Sequence, residues 1–184
     1  MSLTRPIALV GYRATGKSTV GRLLAARLDV PFVDLDEAVE KAAGRSIATI
    51  FADDGEPAFR RLEADALAAA FEAGPTVRTI ATGGGVVLRD ANRRWLADAD
   101  VVWLTASPDC ILARLRDDAQ TATRRPSLTA LPPDEEVRRL LRERDPLYRE
   151  VSDLTVDTEE AESAAAIADT IADWVRSRSR GRTE

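Results

Sequence analysis

The chain has 184 residues, a formal net charge of −5 and no histidine. This length suits one domain with a substantial buried core, and the acidic balance argues against a general nucleic-acid binder. The lack of histidine excludes Ser-His and Cys-His nucleophiles and His-ligated metals, so any general base must be a carboxylate or a water. Neither a membrane span nor a signal-peptide pattern is present, so we expect a cytoplasmic protein that does not bind membranes.

Strands and helices alternate through the first half of the chain. Three apolar runs predict strands, at residues 6–10, 31–33 and 77–81. Apolar residues at helical spacing predict helices at residues 17–28 and 37–73, the second with a break around residues 53–57.

The second half continues this alternation. Strands are predicted at residues 100–104 and 153–156, and helices at residues 108–116, 134–150 and 159–175. Residues 117–133 follow neither periodicity and predict a mobile loop, and we expect the tail at residues 176–184 to be frayed. The pattern favours an α/β fold in which a five-stranded parallel sheet is flanked by helices, with ligands at the carboxyl ends of the strands.

A glycine-rich loop joins the first strand to the first helix. Its sequence, Gly-Tyr-Arg-Ala-Thr-Gly-Lys-Ser from Gly11 to Ser18, satisfies the P-loop pattern. The backbone N–H groups of such a loop surround phosphate oxygens, Lys17 reaches the β- and γ-phosphates, and the Ser18 hydroxyl coordinates Mg²⁺. The alternative is an ordinary glycine turn. With the flanking strand and helix, the motif favours a three-layer P-loop NTPase fold that binds ATP and Mg²⁺.

Two aspartates, Asp34 and Asp36, follow the second predicted strand. The two-residue period of a strand would send both carboxylates to the same side. One could hold the water shell of Mg²⁺ while the other orients or deprotonates an acceptor hydroxyl. The alternative is that one of them caps the helix that follows.

Two further features are a run of glycines and a concentration of arginines. Gly83, Gly84 and Gly85 directly follow the third strand, which suits a close approach to the backbone, although a plain turn is the alternative. Arginines are concentrated between Arg114 and Arg149, enough to bind phosphates or a carboxylate. For most of them a solvated helix face, paired with nearby acids, is the preferred interpretation.

In combination these motifs resemble shikimate kinase, from Ile7 to about Trp174. Segments that carry the resemblance include Asp-Leu-Asp, Phe-Arg-Arg-Leu-Glu, the three glycines, Arg-Arg-Pro and Asp-Pro-Leu-Tyr, at residues 34–36, 59–63, 83–85, 124–126 and 145–148. The P-loop alone is shared by many NTPases, whereas this set in this order is much more specific.

The resemblance implies an acceptor site for shikimate. Asp34 would hold Mg²⁺ through water, with Ser18 as the other metal residue, and Asp36 would contact the hydroxyls near the transferring phosphate. Arg60 and Arg144 would grip the substrate carboxylate, and Gly83, Gly84 and Gly85 would line the same pocket. The activity implied is transfer of the γ-phosphoryl group of ATP to the 3-hydroxyl of shikimate. From the length of the chain we expect one domain, and we expect it to act as a monomer.

The resemblance also implies the nucleotide site. Arg114 would lie against the adenine, and Arg125 would belong to a lid at residues 117–133 and reach the phosphates. Lys17, Asp36 and Arg125 would be the catalytic residues. The phosphate-binding residues would be Gly11, Ala14, Thr15, Gly16, Lys17, Ser18 and Thr19.

Two departures from the family pattern affect the nucleotide side. Ala14 stands where the family usually has another glycine, and Gly11 and Gly16 remain to permit phosphate binding. The segment at residues 117–123 is longer than usual, so Arg124 is a second candidate for the role of Arg125.

Three other classes of nucleotide-binding protein are alternatives to this prediction. A kinase for gluconate or another small metabolite would share the fold, and the Arg60 and Arg144 pair with Asp36 favours shikimate over it. The specific matches outside the P-loop argue against a nucleoside monophosphate kinase. A GTP-dependent switch would need an Asn-Lys-x-Asp segment, and the chain has none.

Overall fold

Within residues 3–74, 77–117 and 131–181, which the computed structural model describes, five strands form one parallel sheet. The strands are β1 (Ile7–Val10), β2 (Phe32–Asp34), β3 (Thr79–Ala81), β4 (Asp100–Thr105) and β5 (Leu154–Asp157). Their order across the sheet is β2-β3-β1-β4-β5, so β1 lies at the centre. The predicted α/β fold with a five-stranded parallel sheet is confirmed.

Helices connect these strands. They are α1 (Lys17–Leu28), α2 (Leu35–Ala43), α3 (Ile47–Glu72), α4 (Asp90–Leu96), α5 (Pro108–Asp117), α6 (Pro133–Val151) and α7 (Ala164–Gly181), with a 3₁₀ turn at Val86–Leu88. None of the helices in the described ranges is long and apolar enough to cross a membrane.

The central strand β1 is buried on both faces. Because successive side chains of a strand point to opposite faces, Ile7 and Leu9 pack on one side and Ala8 and Val10 on the other. The first pair contacts a core built with α1 and α7, and the second contacts a core that includes residues of α3 and α6. Burial on both faces explains why this strand reads as a continuous apolar run.

The helical stretch predicted at residues 37–73 is two helices. Gly44 adopts φ 65° and ends α2, and the Ser46 side chain accepts a hydrogen bond from the Thr49 N–H to cap α3. The break predicted around residues 53–57 is confirmed as a kink at Gly55, where φ is 76°, followed by Pro57.

The structure differs from the sequence prediction in two other places. The turn at Val86–Leu88 and helix α4 were not predicted, since both are too short for a periodicity to show. The tail expected to be frayed from residue 176 is helical as far as Gly181, because Arg178 pairs with Asp153 and with the buried Asp100. Of the loop predicted at residues 117–133, residues 118–130 lie outside the described part of the chain.

Candidate active site

The loop from Gly11 to Ser18 connects the carboxyl end of β1 to the amino end of α1. Gly11 has φ 139°, and a Cβ atom there would lie 2.2 Å from the carbonyl oxygen of Leu104 on β4. Only glycine therefore allows the loop to leave the sheet at this point. The turn directs the first N–H groups of α1 toward the sheet edge, where a phosphate can bind them.

Internal hydrogen bonds hold this loop in shape. The Lys17 ammonium donates to the Tyr12 carbonyl at 2.6 Å, and the Thr15 hydroxyl donates to the same oxygen at 2.8 Å. Ala14 adopts φ 63°, a left-handed conformation that costs a non-glycine residue about 1–2 kcal/mol. The loop therefore keeps its curvature although alanine replaces the glycine usual in the family.

Ser18 and Asp34 supply two oxygens side by side. The Ser18 hydroxyl donates to Asp34 Oδ2 at 2.5 Å, while Asp34 Oδ1 accepts the Asp36 N–H at 3.0 Å. Mg²⁺ in phosphoryl-transfer enzymes is held by a few protein oxygens together with phosphates and water. A hydroxyl and a carboxylate in contact beside a phosphate-binding loop fit that ion.

The predicted geometry of Asp34 and Asp36 is wrong in one respect. Strand β2 ends at Asp34 and α2 begins at Leu35, so Asp36 lies in the first turn of a helix and the two-residue strand period does not apply. The capping alternative is confirmed for Asp34, whose side chain is the N-cap of α2. One carboxylate thus caps the helix with one oxygen and contacts Ser18 with the other.

Arg60 lies on α3 and is buried, with 9% of the residue exposed. Its Nη1 donates to Glu63 at 2.8 Å, its Nη2 donates to Glu56 at 2.8 Å, and its carbonyl accepts a hydrogen bond from Arg89. Burial lowers the pKa of Arg60, but the two glutamates outweigh burial and raise it. The guanidinium therefore stays charged and fixed in position.

The glycines at residues 83–85 bring backbone against this cation. A Cβ atom on Gly85 would lie 2.2 Å from Arg60 Nη1, so a side chain there would displace the guanidinium. The carbonyl of Gly84 accepts hydrogen bonds from Arg144 Nη1, at 3.1 Å, and from the Tyr148 hydroxyl. A plain turn would need neither contact, so the segment serves the close approach that the sequence suggested.

Arg144 reaches the same segment from α6 and is 5% exposed. Its guanidinium carbon lies 5.8 Å from the centre of the Tyr12 ring, and its Nε has no hydrogen-bond partner among the described residues. Burial raises the pKa of the neighbouring Tyr148 hydroxyl, which stays a neutral donor. Arg60 and Arg144 thus converge on the three glycines from different helices.

Arg114 contacts the phosphate-binding loop from α5. Its Nη1 donates to the Ala14 carbonyl at 3.3 Å and to the Thr158 hydroxyl at 2.8 Å, and its Nη2 donates to the Thr158 carbonyl at 2.9 Å. The residue joins α5 to the loop and to the segment after β5. This position borders the phosphate-binding loop, and contact with adenine stays a prediction.

The other arginines of this stretch include two in exposed ion pairs. Arg138 pairs with Asp109 and Arg139 with Glu143, with all four side chains largely exposed, as the solvated-face interpretation predicts. Arg124 and Arg125 lie outside the described residues.

Several residues of the site were missed from the sequence. Glu63, three positions after Arg60, could have been found, because residues at this spacing meet on a helix surface. Arg13, Arg89 and Glu136 left no such signal, since each contacts a residue far away in the chain.

A phosphate-binding loop, an adjacent hydroxyl and carboxylate, and two arginines beside a glycine segment together define a P-loop kinase for a small anionic acceptor. Residues 13–176 match the family model described as Shikimate kinase. The chain is 49% identical to the shikimate kinase of Rhodopirellula baltica over 82% of this chain and 80% of that protein. It is 44% identical to that of Paracidovorax citrulli, over 90% and 89% of the two chains.

Solved structures agree with these relatives. The shikimate kinase from Acinetobacter baumannii in complex with shikimate superposes with a TM-score of 0.85 at 35% identity, over 95% of this chain and 94% of that one. The Aquifex aeolicus shikimate kinase gives 0.73 at 30% identity, over 97% and 98%. The chain belongs to the shikimate kinase family, and it is an ATP-dependent phosphotransferase. The gluconate, nucleotide and switch alternatives are not favoured.

Proposed function

We propose that the protein transfers the γ-phosphoryl group of ATP to the 3-hydroxyl of shikimate, giving shikimate 3-phosphate and ADP, on the route to chorismate and the aromatic amino acids. The observation that carries this proposal is the convergence of Arg60 and Arg144 on the glycine segment next to the phosphate-binding loop. The similar Acinetobacter baumannii enzyme is in complex with shikimate, which supports the same acceptor.

On the nucleotide side, the loop from Gly11 through Thr19 would wrap the phosphates with its backbone N–H groups. Lys17 would move its ammonium from the Tyr12 carbonyl toward the β- and γ-phosphates. Ser18 would hold Mg²⁺ directly and Asp34 through water. When bound, Mg²⁺ neutralises charge on the phosphates.

On the acceptor side, Arg60 and Arg144 would hold the carboxylate of shikimate by charge-assisted hydrogen bonds. Two fixed guanidinium groups orient the ring, so that one hydroxyl lies in line with the γ-phosphorus. The hydroxyl oxygen then bonds to the γ-phosphorus while the bond to the β–γ bridging oxygen breaks. Asp36, two residues after the metal-site aspartate, would orient that hydroxyl and accept its proton.

Several further expectations belong to this proposal. Arg125 is the proposed lid arginine that reaches the phosphates, with Arg124 as the other candidate. A cationic group arriving there would stabilise charge on the transferring phosphoryl and help to exclude water. We also propose that the chain acts as a single-domain monomer in the cytoplasm and binds no nucleic acid.

The product identifies the reaction directly. Protein incubated with ATP, Mg²⁺ and shikimate should yield one new phosphate monoester by phosphorus NMR, coupled to the proton on carbon 3 of the ring. Chelation of Mg²⁺ should abolish formation of the phosphate monoester, and addition of excess Mg²⁺ should restore it. A phosphate on another hydroxyl, or formation without a divalent cation, would contradict the proposal.

A further inference from the structure

An ion pair links the phosphate-binding loop to α6 across 123 positions of the chain. Arg13, inside the loop, donates to Glu136 at 2.7 Å, and the two side chains are 17% and 1% exposed. Glu136 lies in the first turn of α6. Neither side chain is among the proposed contacts to the phosphates or to the acceptor.

Burial makes stability a poor explanation for this pair. Removing a carboxylate and a guanidinium from water carries a desolvation penalty that their attraction barely offsets, and apolar replacements of similar volume are often neutral. Buried pairs of this kind can instead fix how two elements sit against each other. Here the two elements are the loop for the nucleotide and the helix that carries Arg144.

The contacts around the pair connect it to both substrates. Tyr12, next to Arg13, is buried among side chains of α6, and its ring lies 5.8 Å from the Arg144 guanidinium carbon. Its carbonyl accepts the hydrogen bond from Lys17. If Lys17 moves toward phosphate oxygens, the Tyr12 carbonyl loses this hydrogen bond. Tyr12 lies between the loop and α6, so the loss occurs where the two elements meet.

A displacement at the first turn of α6 would reach Arg144 because both lie on one continuous helix. Glu136 and Arg144 are separated by about 12 Å along a helix axis that rises 1.5 Å per residue. Arg13 pairs with Glu136 in the first turn of α6, and the Tyr12 ring packs against Arg144 two turns later. Two successive loop residues therefore contact the same helix at two points. A helix held at these two points would follow a movement of the loop, and Arg144 would move with it.

We propose that the Arg13–Glu136 ion pair positions α6 on the phosphate-binding loop and thereby couples nucleotide binding to shikimate binding. The inference rests on the proposed acceptor. Both residues are positioning residues, because they act through the loop and Arg144 and need not touch either substrate. By linkage, the factor by which ADP tightens shikimate equals the factor by which shikimate tightens ADP.

Calorimetry of shikimate binding, without nucleotide and with saturating ADP and Mg²⁺, measures this coupling without turnover. For the wild type we expect the dissociation constant to fall about fivefold or more when ADP is present. In the double variant Arg13→Met with Glu136→Met, the ratio should drop to about one, while the melting temperature stays within a few degrees. Glu136→Gln, which keeps the side-chain volume, should lower the ratio at least about threefold.

Arg138→Met is the matched control, since Arg138 also lies on α6 but pairs with the exposed Asp109 on α5 and not with a loop residue. It should keep the wild-type ratio. The proposal is overturned if the double variant keeps that ratio, or if the wild type binds both ligands without coupling. Wild-type protein that binds ADP but no shikimate would contradict the proposed acceptor, and the coupling with it.

Discussion

Arg60 and Arg144 are held in different ways, and each way bears on how a carboxylate would bind. Arg60 is fixed by Glu56 and Glu63 on its own helix, whereas Arg144 is fixed by the Gly84 carbonyl and the Tyr12 ring. Neither guanidinium has to be ordered when a ligand arrives, which lowers the entropy that binding must overcome. The two cations are therefore ordered before a ligand binds, while the position of Arg144 follows that of α6.

Replacing either arginine by lysine should weaken acceptor binding selectively. Arg60→Lys and Arg144→Lys keep the charge but lose the planar fork that matches a carboxylate. Loss of a charge-assisted hydrogen bond should raise the KM for shikimate about tenfold or more, with the KM for ATP changed less than about twofold. Steady-state kinetics test this, with the exposed Arg139→Lys as control. An unchanged shikimate KM in both variants would contradict the clamp.

Asp36 should affect turnover more than binding. Its carboxylate is proposed to orient the reacting hydroxyl, so Asp36→Asn should lower kcat by about a hundredfold or more. ADP affinity, measured by calorimetry, should stay close to that of the wild type, because Asp36 is not among the phosphate-binding residues. A kcat within about twofold of the wild type would mean that Asp36 only belongs to the first turn of α2.

At the scale of elements, the start of α5 depends on an acid from the segment after β5. Glu159 accepts hydrogen bonds from the Ser107 N–H, at 2.6 Å, and from its hydroxyl, at 2.9 Å. The Ser107 hydroxyl in turn accepts the Cys110 N–H. These bonds hold together the ends of β4 and β5, beside the Thr158 that holds Arg114.

The Glu159 contact should make stability depend on pH. The hydrogen bonds from Ser107 lower the pKa of the Glu159 carboxyl below its usual value. A lowered folded-state pKa means that the stabilisation is fully present above the unfolded pKa of about 4.3, and is lost as pH falls through the folded pKa.

Melting curves of the wild type and Glu159→Gln at several pH values test this. The wild type should melt higher at pH 7, and the difference should shrink as the pH is lowered below about 4. Glu160→Gln, the adjacent exposed residue, serves as control. A difference that is independent of pH would contradict the assigned role of the charge.

The elements differ in how far the sequence could predict them. β1 and α1 were predictable, because four successive apolar residues and a 3.6-residue period are strong local signals. At Asp34 the sequence left two interpretations open, and only the contact of its side chain with the N–H of Asp36 shows that it caps the helix. The close approach of Gly85 to Arg60 also depends on tertiary packing, although its motif marked the right place.

The residues of the site also differ in how far the sequence could predict them. The P-loop pattern identifies Lys17 and Ser18 by spacing alone, since backbone geometry fixes what the loop can bind. Arg144 was assigned only by resemblance, because nothing local distinguishes it from exposed arginines of the same helix, such as Arg139. Burial against Tyr12 and Gly84 is what separates the two residues.

Over the whole molecule, α7 packs on one face of the sheet, and its carboxyl-terminal part reaches the end of the sheet opposite the phosphate-binding loop. Arg178 donates to Asp153 at 3.0 Å, lies 3.5 Å from the buried Asp100, and stacks over Trp174 with its guanidinium carbon 4.9 Å from the ring. The last helix is thereby fastened to residues at the amino ends of β4 and β5.

Removing that fastening should lower stability without touching catalysis. Arg178→Ala should reduce the free energy of unfolding by about 1–2 kcal/mol, since it removes a charge-assisted hydrogen bond to Asp153 and an ion pair with Asp100 that are partly shielded from water. Arg176→Ala, on the same helix with a more exposed pair, should change it by less than about 0.5 kcal/mol. Denaturant unfolding measures both, and equal effects, or an altered kcat for Arg178→Ala, would contradict this account.

The most direct test of the central claim is ADP release from ATP and Mg²⁺, compared with shikimate, with gluconate, with nucleoside monophosphates and without acceptor. We predict fast ADP release only when shikimate is the acceptor, at a rate that saturates as the shikimate concentration is raised. Slow release that does not depend on the acceptor, or fast release with another acceptor and none with shikimate, would contradict the claim that Arg60, Arg144 and the glycine segment form a shikimate site.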